Sequence, residues 1–307
     1  PILADGAKAN LALIAAVEHS ALSAGAKYDV LHELHVKAAQ FNATLAESLG
    51  LNVTATVIAA GAPAGPAGPG SGPAPTSRVA VPGQTLGLSV RAANQGDTAV
   101  AVRRVWVQTP AGHSWTVSPA ENRSVPASVA GGAVVSQRFS VTVPNDAAIT
   151  RPYFSIPNLE QPYYDIDQAK DLTRPFAPYP VSGWVDFEYQ GASIRVGQVA
   201  QTLGRVLGDG DVGEPLVVAP AISLWISPRA GVVPIGARSF PLSVVVHSNA
   251  PGAAKGKVHL DLPAGWRSDP ATAGFSLAKG GDEQTVEFRV LPATVQPTVY
   301  HLRAVAE

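Results

Sequence analysis

Residues 89–144 read SVRAANQGDTAVAVRRVWVQTPAGHSWTVSPAENRSVPASVAGGAVVSQRFSVTVP, and residues 243–292 read SVVVHSNAPGAAKGKVHLDLPAGWRSDPATAGFSLAKGGDEQTVEFRVLP. Both run strand, Asn plus Gly turn, strand, Pro-Ala-Gly, Trp, x-Pro-Ala, a glycine pair, then a strand carrying Phe. This order aligns Trp115 with Trp266, Pro119 with Pro270 and Phe139 with Phe288. Turns and strand-length apolar runs in the same order predict two copies of one β-sandwich unit. The expected fold is mainly β: two immunoglobulin-like sandwiches preceded by a short α-helical hairpin and a Gly/Pro linker.

Outward from the first copy, Val79 and Val81 lead to Pro82-Gly83, and Leu86, Leu88 and Val90 alternate as in a half-buried strand. Val100 and Val102, then Val105 and Val107, continue the pattern. Trp184 to Val199 resumes it, with Val185, Phe187 and Tyr189 on one face. In the second copy Leu242, Val244 and Val246 alternate, then Val258, Leu260 and Leu262, then Val286, Phe288 and Val290. Tyr300, Leu302 and Ala304 are expected to close that sheet, and Pro292 and Pro297 confine this last segment to an edge.

Upstream, Leu31, Leu34, Ala38, Phe41, Leu45 and Leu49 recur at helical steps, with Gly50 as the stop. Leu11, Ile14, Val17 and Ala21 form a weaker partner stripe, with Gly25 at the turn. The pair reads as a hairpin that buries one face on the other or on a neighbour outside this sequence. The stretch from Gly61 to Pro75, GAPAGPAGPGSGPAP, is low complexity and reads as a tether. The expected boundaries are 1–57 helical hairpin, 58–77 linker, 78–218 first sandwich and 219–307 second sandwich.

Composition narrows the function classes. The 307 residues carry 22 Lys and Arg against 23 Asp and Glu, a net charge of -1. Such a chain has no field for nucleic acid and no basic stripe for an anionic membrane. No run reaches the length of a membrane span, and no signal peptide stands at Pro1. The sequence has no Cys, which removes disulfides, thiolate metal sites and a cysteine nucleophile. It also has no Met, which reads as a processed or excised piece of something longer.

The segment Arg151–Pro180, RPYFSIPNLEQPYYDIDQAKDLTRPFAPYP, departs from the strand pattern and holds the candidate ligand-binding residues. Tyr153, Tyr163, Tyr164 and Tyr179 could stack on sugar rings. Asp165, Asp167 and Asp171 could accept hydroxyl hydrogen bonds or hold a calcium ion with backbone carbonyls. The alternative is a strap whose aromatics fill a gap between the two sandwiches. His32, Glu33 and His35 form the one metal-like cluster, but two imidazoles seldom make a specific site, and a polar helix flank explains them. No metal site and no catalytic residue is expected. Asn42-Ala-Thr, Asn52-Val-Thr and Asn122-Arg-Ser match the glycosylation triplet, a pattern common by chance.

Several runs carry a family resemblance: RPYF at 151–154, EQPYYD at 160–165, RVGQVAQ at 195–201, PLVVAPAISLWISP at 215–228 and LPAGWRSDPA at 262–271. With the element order they resemble the non-catalytic C-terminal part of exported PIG-L/LmbE-family deacetylases. There a helical segment and NEW3-type sandwiches follow the catalytic domain. The resemblance implies zinc-dependent amide hydrolysis of N-acetylglucosamine-type substrates by an AHPDD-like loop and an HxxH-type segment. This chain has no AHPDD. HELH at 32–35 matches the second spacing but lies mid-helix with no carboxylate segment beside it. The active site and its zinc would therefore precede Pro1, and no cofactor is expected in this chain. The implied role is an accessory region that positions the catalytic domain on polysaccharide or cell-envelope material, outside the cell. Its implied partners are that domain or other envelope proteins, and glycans. Two other readings stay open: a structural, surface-layer-associated interaction protein without activity, and an autonomous carbohydrate-binding module.

Overall fold

The computed structural model describes residues 1–58, 76, 78–112, 114–120, 125–157, 160–206 and 208–307. The chain is mainly β. It divides into two compact units. Unit 1 holds residues 1–78, 83–146 and 150–217; unit 2 holds residues 79–82, 147–149 and 218–307.

Unit 1 opens with helices α1 (Ile2–Glu18) and α2 (Ala24–Ser48). The Ser23 hydroxyl caps α2 by accepting the Ala26 N–H at 3.3 Å, so the helix starts two turns before Leu31, where the apolar stripe begins. Gly50, at φ 63°, ends it. The hairpin buries Ala4, Ala7, Ile14, Val17 and Leu45, and Asn10 on α1 donates to the Leu34 carbonyl at 3.0 Å. Both helices pack on this chain's own sandwich, which answers the open question of where the hairpin docks.

Along the chain follow strands β1 (Leu51–Ile58), β2 (Val79–Ala80, which belongs to unit 2), β3 (Thr85–Asn94), β4 (Val100–Gln108) and β5 (Thr116–Pro119). Next come β6 (Ser128–Val129), β7 (Val134–Thr142), β8 (Phe154–Ser155) and β9 (Asp165–Ile166). Then follow β10 (Ser182–Tyr189), β11 (Ala192–Val199), β12 (Gln201–Val206), β13 (Gly210–Pro215) and β14 (Val217–Val218). One sheet has the order β13-β12-β1-β3-β7-β5, and the other β11-β10-β4-β6. Strand β1 is interior, antiparallel to β3 and parallel to β12, so residues 51–58 belong to the sandwich and not to the helical segment. The linker expected at 58–77 lies outside the described residues except Ile58, which ends β1, and Thr76, whose N–H donates to the Leu203 carbonyl at 2.8 Å. Leu88, Val90, Val141, Val185, Phe187 and Ile194 form the centre of the unit 1 core, each almost fully buried.

Unit 2 contains β15 (Ile222–Ser227), β16 (Phe240–Ser248), β17 (Ala254–Asp261), β18 (Arg267–Asp269), β19 (Thr272–Leu277), β20 (Glu283–Leu291) and β21 (Arg303–Ala306). Its sheets run β15-β16-β20-β18 and β19-β17-β21. The first reproduces β1-β3-β7-β5, and the second reproduces β6-β4-β10. The duplication read from turn spacing is therefore a duplication of strand order. Strand β21 pairs along β17 as an edge strand.

The glycine pairs show why the repeat keeps them. A Cβ on Gly131 would stand 2.7 Å from the Gly96 carbonyl oxygen, and one on Gly280 would stand 2.6 Å from that of Ala250. The second glycine of each pair, Gly132 and Gly281, has φ of 72° and 86°. In both copies the turn before the last long strand presses against the Asn-containing turn, a contact that only a residue without a side chain permits.

Candidate functional site

The segment between β7 and β10 folds as a small ribbon, β8 paired antiparallel with β9 through Phe154–Ile166 and Ser155–Asp165. The Tyr153 carbonyl accepts the Asp167 and Gln168 N–H groups at 2.9 and 3.1 Å. The Tyr153 hydroxyl donates to the Arg174 carbonyl at 2.9 Å, closing the far end of the loop. Phe154 stands edge-on to Tyr153 and to Tyr164, with ring centroids 5.2 and 4.9 Å apart. Edge-to-face contacts of this kind hold rings in fixed orientations.

The candidate residues divide accordingly. Tyr153, Tyr164, Asp165 and Asp167 meet in the ribbon. Tyr163 adjoins it and is 64% exposed, beside Tyr164 at 59%. Tyr179 is half-buried further along the chain. The carboxylates are oriented from within the loop. Gln161 donates to Asp165 Oδ1 at 2.8 Å, and the Ser155 hydroxyl donates to Asp167 Oδ1 at 3.0 Å. Each aspartate keeps its second oxygen as an acceptor. Asp171 is different: it is buried, with the Arg174 guanidinium 3.8 Å away. Among the described residues no group of three or more His, Asp or Glu side chains is placed to hold a metal ion.

Phe154 and Phe176 belong with the tyrosines, the first as the hinge of the aromatic cluster and the second 68% exposed. The tyrosines were chosen from the sequence as stacking rings and both phenylalanines were left out, although RPYF at 151–154 contains Phe154. His32 and His35 are exposed on α2, and His32 stacks on Tyr28 with centroids 6.4 Å apart. No helix among the described residues is long and apolar enough to cross a membrane. His113 and Asn122 lie outside the described residues.

Residues 80–152 match a family model, the NPCBM-associated NEW3 domain of alpha-galactosidase. That NEW3 segment holds strands β3 to β7, so the match falls on the first repeat. No curated protein matches the chain. Among solved structures, the secreted serine protease VesC from Vibrio cholerae is similar at 9% identity and a TM-score of 0.26, covering 74% of this chain and 47% of that one. A DUF4785 family protein from Legionella pneumophila subsp. pneumophila str. Philadelphia 1 is similar at 11% identity and a TM-score of 0.22, covering 69% and 45%. The chain thus spans about half the length of each. Scores this low carry no argument about fold or function.

Proposed function

We propose that this chain is a non-catalytic accessory region that presents a glycan-contacting loop, residues 151–180, to carbohydrate substrates of a larger enzyme. The observation that carries the reading is the NEW3 match at 80–152, a domain type named for a glycosidase. The exposed Tyr163 and Tyr164, next to two oriented aspartates, supply the chemistry: aromatic faces for the apolar side of a sugar and acceptors for its hydroxyls. In its finer form, drawn from the sequence resemblance, the enzyme is a PIG-L/LmbE-type deacetylase acting at the cell envelope. Its zinc and catalytic residues would lie in a domain before Pro1.

A glycan array followed by titration calorimetry tests this. The chain should bind at least one class of oligosaccharide. The Tyr163→Ala/Tyr164→Ala double variant should lose tenfold or more in affinity and still melt cooperatively, since both rings are largely exposed and only Tyr164 gives up a ring contact, with Phe154. Binding that the double variant retains in full removes the loop from the reading.

A further inference from the structure

The outer face of the β11-β10-β4 sheet in unit 1 is not a plain solvated surface. Strand alternation that buries Val185 and Phe187 turns Trp184, Asp186 and Glu188 outward from β10. Trp184 sits opposite Trp106 of β4, their rings inclined at 20° with centroids 6.1 Å apart. On its other flank Trp184 covers Gly197 of β11, where any Cβ would collide with the indole. Both indole N–H groups are buried without an acceptor among the described residues, so packing and the neighbouring arginines orient the rings. The guanidinium carbons of Arg104 and Arg195 lie 5.1 and 5.3 Å from the Trp106 ring centroid.

Two ion pairs fix the polar groups around this ledge. Arg195 Nε donates to Asp186 Oδ1 at 2.6 Å. Arg103 grips Glu188 with two hydrogen bonds, Nη2 to Oε1 at 2.6 Å and Nε to Oε2 at 3.1 Å. The helical hairpin stands over one end of the face and does not close on it. Between them lies a cleft of about 600 Å³. One wall is apolar, from Ala7, Leu11, Ala38 and Phe41; the other is Trp184, Asp186, Arg195 and Arg103, with Ser193 and Asn42 at their side.

We propose that this cleft binds a short saccharide. Its volume lies within the range of about 300–1,000 Å³ typical of small-molecule sites. An indole edge and an apolar wall suit the C–H faces of pyranose rings. Paired guanidinium and carboxylate groups, held in place before binding, suit adjacent hydroxyls that each donate and accept. A lipid or other wholly apolar ligand would strand Arg103, Arg195 and Asp186 without water. A polyanion would meet Asp186. The choice of a sugar among polyhydroxylated ligands rests on the glycan reading above, but the cleft is built from residues outside the 151–180 loop.

Tryptophan fluorescence and calorimetric titration of the full chain with tetrasaccharides of N-acetylglucosamine, glucose, xylose and mannose test the assignment. At least one should bind and change the fluorescence. Ser193→Trp, an exposed change that fills the cleft, and Asp186→Asn, which releases Arg195, should each weaken that binding tenfold or more. Melting curves and near-ultraviolet circular dichroism identify any variant that fails to fold, and the other variant then decides. Binding untouched by both variants but abolished in Tyr163→Ala/Tyr164→Ala overturns the cleft and leaves the loop reading standing. Binding of none of the four sugars overturns the cleft and the glycan reading together.

Discussion

The Asn42 carboxamide on α2 and the Arg195 peptide on β11 hydrogen-bond reciprocally. Oδ1 accepts the Arg195 N–H at 2.7 Å, and Nδ2 donates to the Arg195 carbonyl at 2.8 Å. Because β11 is the outer strand of its sheet, the amide occupies the place of a further strand at that residue. A triplet that reads as a glycosylation acceptor is here a fastener between helix and sheet.

Asn42→Asp replaces the donor with an acceptor aimed at a carbonyl. It should cost about 1–3 kcal/mol, the range for a broken and unsatisfied hydrogen bond. Urea denaturation gives the magnitude, and amide exchange should show faster opening at Arg195 than in wild type. Exchange at Arg195 equal to wild type would mean that the pair does not hold the hairpin.

The glycine pairs should respond alike in both copies. Gly131→Ala and Gly280→Ala each drive a methyl into a carbonyl oxygen, so each should destabilise by about 1–3 kcal/mol, as overpacking does. Gly274→Ala is the control, because its nearest neighbour would be 3.9 Å away. Thermal melts that leave Gly280→Ala unchanged would contradict the close approach described for that turn.

The two aligned tryptophans should not respond alike. Trp266 is 8% exposed and packs against Tyr300 and Phe240 at centroid distances of 4.7 and 6.0 Å, whereas Trp115 is half-buried. Trp266→Ala should cost about 3–5 kcal/mol, typical of a core aromatic. Trp115→Ala should cost less. Differential scanning calorimetry on both variants checks the ordering, and equal losses would refute it.

Acid should weaken the Arg103–Glu188 pair. The hydrogen bond from the Arg103 guanidinium holds the Glu188 carboxyl below its ordinary value of 4.5, against the opposing effect of desolvation. A carboxylate with a lowered folded-state pKa stabilises fully above the ordinary value. That contribution is lost as pH falls through 4.5 and then through the lower folded value. Wild type should therefore exceed Glu188→Gln in melting temperature well above pH 4.5 and converge with it in stronger acid. A difference that persists unchanged in acid would assign the effect to packing.

Much of the architecture was legible because alternation and turn chemistry agree along each repeat. Leu86, Leu88 and Val90 point inward as their spacing requires, and the Asn94 turn has the expected residues. Strand β1 was harder to place. Leu51, Val53, Ala55 and Val57 alternate, but their partners β3 and β12 are remote in sequence, and a low-complexity stretch follows them. In β10 the apolar residues were read and the outward face was not. Trp184 and Asp186 gain meaning only beside Trp106 and Arg195, which local periodicity cannot supply. The loop residues were picked out by composition, while Phe154 became visible only through its ring contacts.

The interior position of β1 also determines what can be cut out of this chain. Residues 80–152 alone would retain β3, β7 and β5 but forgo the eight residue pairs that β1 makes with β3. They would also lose the seven that β10 makes with β4. Each sheet would then show a long row of bare peptide groups, a template for self-association. The recognisable stretch of sequence is therefore smaller than the stretch whose sheets are complete. An excision that respects the sheets must begin ahead of Leu51 and run past Pro215.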